Sequence, residues 1–150
     1  MAKPVKSYIP EHSNPSLEKF INCMMHDGKK TVARRVFKDA LEVIKTRTKE
    51  DPMEVFWKAL LNTTPLIEVR AKRVGGAVYQ VPTEVPAKRQ VALSIRWILA
   101  AARDRKGIPM SQKLALELLD ASAEQGGAVK KKLDVLKMAQ ANKAFAHLAK

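Results

Sequence analysis

Arg89, Arg96 and Arg103 recur at steps of seven residues, nearly two helical turns, so on a helix their guanidiniums fall along one stripe. A guanidinium is a planar fork that can grip two phosphate oxygens at once. The stripe lies in the most basic stretch of the chain, residues 70–106, which holds nine bases, six of them Arg, and only two acids. That stretch opens with Arg70, Lys72 and Arg73 just ahead of a Gly75-Gly76 pair. The chemistry these residues offer is non-covalent: binding of a phosphate backbone.

Lys29 and Lys30 follow Gly28, and Arg34 and Arg35 come one helical turn later. Gly28-Lys29-Lys30-Thr31 looks like the end of a phosphate-binding loop, but the upstream glycine that motif needs is Cys23 here. A helix junction with two phosphate-facing lysines is the simpler reading. Lys130, Lys131 and Lys132 sit at a helix start, where cations oppose the helix dipole, and a nearby phosphate would remove that cost. His12, His26 and His147 are scattered and lone Cys23 sits among Phe20, Ile21, Met24 and Met25. No metal, cofactor or enzymatic role is expected from them, and Cys23 reads as a small core residue. Aromatics are 5% of the chain, too few to stack many unpaired bases. This favours recognition of folded RNA by shape and backbone, with Tyr79 as the exception and Trp57 and Trp97 assigned to the core.

The elements that must position these groups are mostly helices. After a Pro-rich extended arm over residues 1–15, Ser16 is expected to cap a short helix carrying Leu17, Phe20, Ile21 and Met24, which stops near Asp27-Gly28. A second helix uses Val32, Val36, Ala40 and Val43, with Phe37, Leu41 and Ile44 beside them, and keeps Arg34, Arg35 and Lys38 outside. Asp51 caps a third that begins at Pro52 and uses Phe56, Ala59 and Leu60. Residues 68–85 then read as a β-hairpin. A primed two-residue turn at Gly75-Gly76 pairs Val74 with Ala77, Lys72 with Tyr79 and Arg70 with Val81. One face then shows Arg70, Lys72, Tyr79 and Val81, the other Ala71, Arg73, Val78 and Gln80. With both faces half polar, the hairpin is expected to protrude as an arm reaching about 20 Å at roughly 3.3 Å per residue. Pro82 and Pro86 limit pairing near its base.

A fourth helix buries Val91, Ile95, Ile98, Leu99 and Ala102 and carries the Arg stripe. A fifth turns Leu114, Leu118 and Leu119 inward and ends at Gln125-Gly126-Gly127. The last starts with Val129 and its lysines, buries Leu133, Leu136 and Ala139, and leaves residues 143–150 as a tail. The expected fold is therefore mainly α, a bundle of about six helices with a two-stranded arm between the third and fourth.

At 150 residues and 46% hydrophobic one domain can bury about two thirds of its unfolded surface. A net charge of +13 predicts a polyanionic partner. The longest apolar run, Trp97 to Ala102, is far short of the roughly 20 residues that span a bilayer. Met1-Ala2-Lys3-Pro4-Val5-Lys6 has no apolar stretch behind it, so no secretory signal is expected and the protein should stay where it is made. Basic blocks alternate with mildly acidic ones, and the fold is expected to gather the basic blocks on one side. No small-molecule substrate and no homo-oligomer are expected.

The residues also carry a resemblance. Asp27-Gly28-Lys29-Lys30, Arg73-Val74-Gly75-Gly76 followed by Tyr79-Gln80-Val81-Pro82, Arg96-Trp97, Gly127-Ala128-Val129-Lys130-Lys131 and Ala141-Asn142-Lys143-Ala144-Phe145-Ala146-His147 occur in that order between Leu17 and His147. In this order and spacing the chain resembles the ribosomal proteins numbered seven of the small subunit, of bacterial or organellar type. The resemblance implies binding to the 3′ major domain of small-subunit rRNA, a role in starting head assembly, and no catalysis. It implies that the arm and last helix lie by the exit site near mRNA and the departing tRNA, and that the C-terminal part neighbours the small-subunit protein numbered eleven. Its location would be the ribosome of a bacterial cytosol or an organelle.

By position, the implied rRNA anchors are Lys29, Lys30, Arg34, Arg35, Arg70, Lys72, Arg73, Lys88, Arg89, Arg96, Arg103 and Arg105, with Lys3 and Lys6 from the N-terminal arm. Val78, Tyr79, Gln80, Val81, Lys130, Lys131 and Lys143 become the residues near tRNA and mRNA. Family members usually open with an Arg-rich tail, whereas no Arg precedes Arg34 here, and their usual Tyr-Arg-Trp style ending is replaced by Leu148-Ala149-Lys150. The alternative is an architectural DNA-binding protein, whose basic β-arms clasp duplex minor grooves.

Overall fold

The structure, a computed structural model, describes residues 13–149. The extended arm expected over residues 1–15 lies almost wholly outside them, as do Lys3, Lys6 and His12. Six α-helices and one hairpin follow in order: α1 Pro15–Met24, α2 Lys30–Arg47, α3 Pro52–Thr63, β1 Ile67–Val74, β2 Ala77–Glu84, α4 Ala87–Asp104, α5 Met110–Ser122 and α6 Gly126–Ala141. A 3-10 segment, Lys143–Ala149, ends the described chain.

Local chemistry sets the boundaries. Pro15 occupies the first turn of α1, so Asn14 and not Ser16 is the cap, its side chain accepting the Ser16 N–H at 2.8 Å. Asp51 caps α3 as expected, accepting from Met53 N at 3.2 Å. α6 starts at Gly126, three residues earlier than Val129. The Gly pair is therefore its first turn and not merely the end of α5. Gly126 has φ +89°, and a Cβ on Gly127 would stand 2.9 Å from the Cβ of Ala101. A side chain there would push α6 off α4.

The core is built around α5, which packs on α2, α3, α4 and α6 and contributes Leu114, Ala115, Leu118 and Ala121, all without exposed surface. Phe20 of α1, Phe37 of α2 and Phe56 of α3 form a ring cluster with centroids 5.1–5.7 Å apart, which ties the first three helices together. On α2 the buried seam is Ala33, Phe37, Ala40 and Ile44. Val32 is half exposed and Val36 and Val43 are only partly buried, so of Val32, Val36, Ala40 and Val43 only Ala40 lies on the seam. Cys23 is exposed, because Phe20, Ile21 and Met24 take the inward face of α1. Trp57 and Trp97 are partly buried against the core. α6 departs most from expectation. It buries Ala128, Val129 and Ala139, whereas Leu133 and Leu136 remain 47% and 38% exposed.

The hairpin register is the one expected: Val74 with Ala77, Lys72 with Tyr79 and Arg70 with Val81. Gly75 and Gly76 have φ of 59° and 87°, the double left-handed pair that a I′ turn requires. Pairing runs past Pro82 to Ile67 and Glu84. The arm is less detached than its mixed faces suggest. Val81 is fully buried and Val85 nearly so. The Tyr79 ring lies 5.1 Å from that of Phe145, and Lys72 donates to the Leu148 carbonyl. One face of the hairpin is thus covered at its base and flank, while Ala71, Arg73, Val78 and Gln80 on the other are exposed.

Candidate nucleic-acid interface

Cations from separate segments meet along α4. At its start, Arg89 donates Nε to both oxygens of Glu68, at 2.9 and 3.0 Å, and Arg70 engages the same carboxylate from the hairpin. Near its end, Arg103 reaches the Met24 carbonyl at 3.4 Å, which brings α4 to the junction that bears Lys29 and Lys30. Its C-terminal stretch shares a cleft with α6, lined among others by Trp97, Arg105 and Lys131. Arg96, between these ends, is exposed and has no ion pair with an acid among the described residues.

A buried acid holds the cations at three places. Glu18, 4% exposed, accepts from Lys30 at 2.8 Å, from Arg34 and from Ser13. Glu68, 7% exposed, holds Arg70 and Arg89. Glu117, 1% exposed, accepts from Arg105 at 2.7 Å and from the Ala128 N–H at 2.9 Å, capping α6 from α5. Sequence reasoning passed over all three. For Glu117 a signal existed, since it continues the stripe of Leu114, Leu118 and Ala121, where a lone acid needs a buried partner.

The carboxyl environments give a pH dependence. The Lys30 hydrogen bond, opposed by burial and helped by Arg34 and Ser13, holds the Glu18 carboxyl below its usual range. Burial pushes the Glu68 carboxyl up, but the hydrogen bonds and charges of Arg89 and Arg70 outweigh it, and the net shift is downward. Both groups bind protons more weakly folded than unfolded, so their stabilisation is complete above the unfolded value near 4.3 and fades as the pH falls below it. Urea midpoints should accordingly be level from about pH 7 to 5 and fall below about pH 4.5. The fall should be shallower in a Glu18→Gln, Glu68→Gln double variant, and an equal fall would assign the acid sensitivity elsewhere.

Of the expected anchors, Lys29, Arg35, Arg73, Lys88 and Arg96 are exposed. Lys30, Arg34, Arg70 and Arg89 present cationic groups already paired on one side. Arg105 is occupied inside the fold by Glu117 and Asp120. Val78, Gln80, Lys130, Lys131 and Lys143 are open to solvent, whereas Val81 is shut away. Among the described residues no cluster of His, Cys, Asp and Glu could hold a metal ion, and no helix is long and apolar enough to cross a membrane.

Comparison with known proteins agrees with the basic surface. The family model described as ribosomal protein S7p/S5e matches residues 2–143. The chain belongs to the S7 family of small-subunit ribosomal proteins. Curated relatives named small ribosomal subunit protein uS7 include that of Rhodopirellula baltica, 58% identical over 93% of this chain and 90% of the relative. Those of Dictyoglomus thermophilum and Moorella thermoacetica are 53% and 54% identical, each over 92% of this chain and 88% of the relative. Membership makes the chain a structural, non-enzymatic part of the small subunit that binds rRNA within the ribosome and serves translation. The architectural DNA reading gives way to it.

Proposed function

We propose that this S7-family chain binds the 3′ major domain of small-subunit rRNA with the surface along α4, and that this binding starts assembly of the subunit head. The supporting observation is the meeting of basic segments on one helix: Arg70 and Arg89 at its start, Arg96 midway, and the Lys29-Lys30 junction beside Arg103 near its end. Lys88, Arg34, Arg35, Lys72 and Arg73 extend the surface, and Lys3 and Lys6 join it from outside the described residues. Arg105 is left to the fold. The exposed side of the hairpin tip and the lysines Lys130, Lys131 and Lys143 lie by the exit site, near mRNA and the departing tRNA. The C-terminal part adjoins the small-subunit protein numbered eleven.

Chemical footprinting of the chain on naked small-subunit rRNA tests this. Protections should concentrate in the 3′ major domain and persist when Val74–Val78 are deleted, and protections spread over other domains would refute it. The salt dependence of binding separates surface cations from structural ones. Arg96→Gln should reduce the log–log slope by up to about one phosphate. Arg105→Gln should leave the slope unchanged while lowering stability, and a reduced slope would return Arg105 to the anchors.

A further inference from the structure

Among the buried groups, Glu68 has the placement most telling for recognition. It lies near the base of β1 and is 7% exposed, yet both guanidiniums on it face outward, with side chains 55% exposed at Arg70 and 43% at Arg89. Arg89 spends only Nε on the carboxylate. Among the described residues its two terminal nitrogens make no hydrogen bond, which leaves that end of the planar fork for another pair of oxygens. The two arginines come from different elements, β1 and the first turn of α4. The carboxylate therefore holds both side chains at one point and ties β1 to α4.

We propose that Glu68 is a specificity-determining positioning residue, which holds Arg70 and Arg89 in the one geometry that matches a pair of backbone phosphates in folded rRNA. The inference rests on the reading of this surface as the rRNA interface. Charge alone argues against retaining an acid there. It cancels one of the two positive charges it holds, and so weakens attraction to every polyanion alike. What it adds is order. Two long side chains arrive with their rotamers already chosen, so the entropy of arranging them is not lost on binding. An RNA whose phosphates fit gains in full, and one whose phosphates lie elsewhere meets a rigid pair that cannot adapt. Raw affinity is exchanged for discrimination.

The two effects have opposite signs. Binding of the full chain would be measured to a transcript of the 3′ major domain and to an unrelated transcript of equal length, at one salt concentration. Glu68→Gln should bind the unrelated transcript as tightly as wild type or more so, while the preference for the 3′ major domain falls about tenfold. If Glu68→Gln tightens or leaves both affinities by the same factor, the carboxylate acts only as a charge and the proposal is overturned. Glu68→Asp keeps the charge and withdraws the carboxylate by one methylene, so it also answers the case in which Glu68→Gln does not fold. The preference should fall in it too, and a preference kept at the wild-type value overturns positioning. A wild-type chain that prefers neither transcript would instead overturn the rRNA reading itself, which separates the two failures.

Discussion

Replacing Glu117 by Ala is expected to cost about 3 kcal/mol of folding stability, near the low end of what breaking a buried ion pair costs. Its carboxylate is 1% exposed and joins three elements. It accepts Nη2 of Arg105 from the end of α4 at 2.7 Å and the Ala128 N–H from the first turn of α6 at 2.9 Å, while sitting on α5. Truncation leaves the Ala128 N–H without its acceptor, worth about 1–3 kcal/mol by itself. Arg105 is spared the worst, because Asp120 still holds it and 28% of its side chain meets solvent. Glu117→Gln keeps the volume and one acceptor and should lose less. Urea unfolding gives the magnitude, and hydrogen exchange at the Ala128 amide gives the place, since α6 should fray from its start. A loss under about 1 kcal/mol with unchanged exchange would mean that α6 is held by packing alone.

The consequence reaches the RNA side. Lys130 and Lys131 follow directly on the first turn of α6, so their position depends on the start that Glu117 caps. The close approach of Gly127 to Ala101 places that start against α4. The lysines therefore stand one turn inside the helix and not at its start, where the dipole would oppose them, and one buried acid anchors the turn before them.

The hairpin was legible from the sequence down to its register, because Gly75-Gly76 admits a narrow turn type and the alternation on either side then fixes every pair. The order of helices was equally legible from spacing and breakers. What could not be read is what covers each face. The pattern Leu133, Leu136 and Ala139 has helical period, but only Ala139 of the three is buried, since which sector of a helix is buried depends on neighbours distant in sequence. The Tyr79–Phe145 contact likewise joins segments more than sixty positions apart and left no local sign. In the candidate interface the cations were visible as types, but their pairing was not. Arg89 and Arg105 look alike in a list of charges. One shares its acid with Arg70 at the surface, while the other is spent between helices. Both acids are buried, and the difference lies in the arginines: the Arg89 side chain stays 43% exposed, whereas Arg105 is 28% exposed and held by a second acid, Asp120.

Phe56→Ala should be as damaging as any substitution away from the charged surface, at about 3–5 kcal/mol for deleting a fully buried ring. Phe56 has no exposed area and stands 5.1 Å from Phe20 and 5.3 Å from Phe37, so its loss leaves a void where α1, α2 and α3 converge. Against the 5–15 kcal/mol typical of a whole domain this is a large share, and the melting temperature should fall by about 10 °C or more. The effect on RNA should differ in kind from that of an arginine substitution. Well below the melting point α1 is still seated, Glu18 still holds Lys30 and Arg34, and the salt dependence of rRNA binding should keep its wild-type slope. As the temperature rises, affinity should drop in step with the folded fraction. A slope already reduced at low temperature would show that the ring cluster also sets the spacing of the surface cations, through the α1 and α2 helices that carry them.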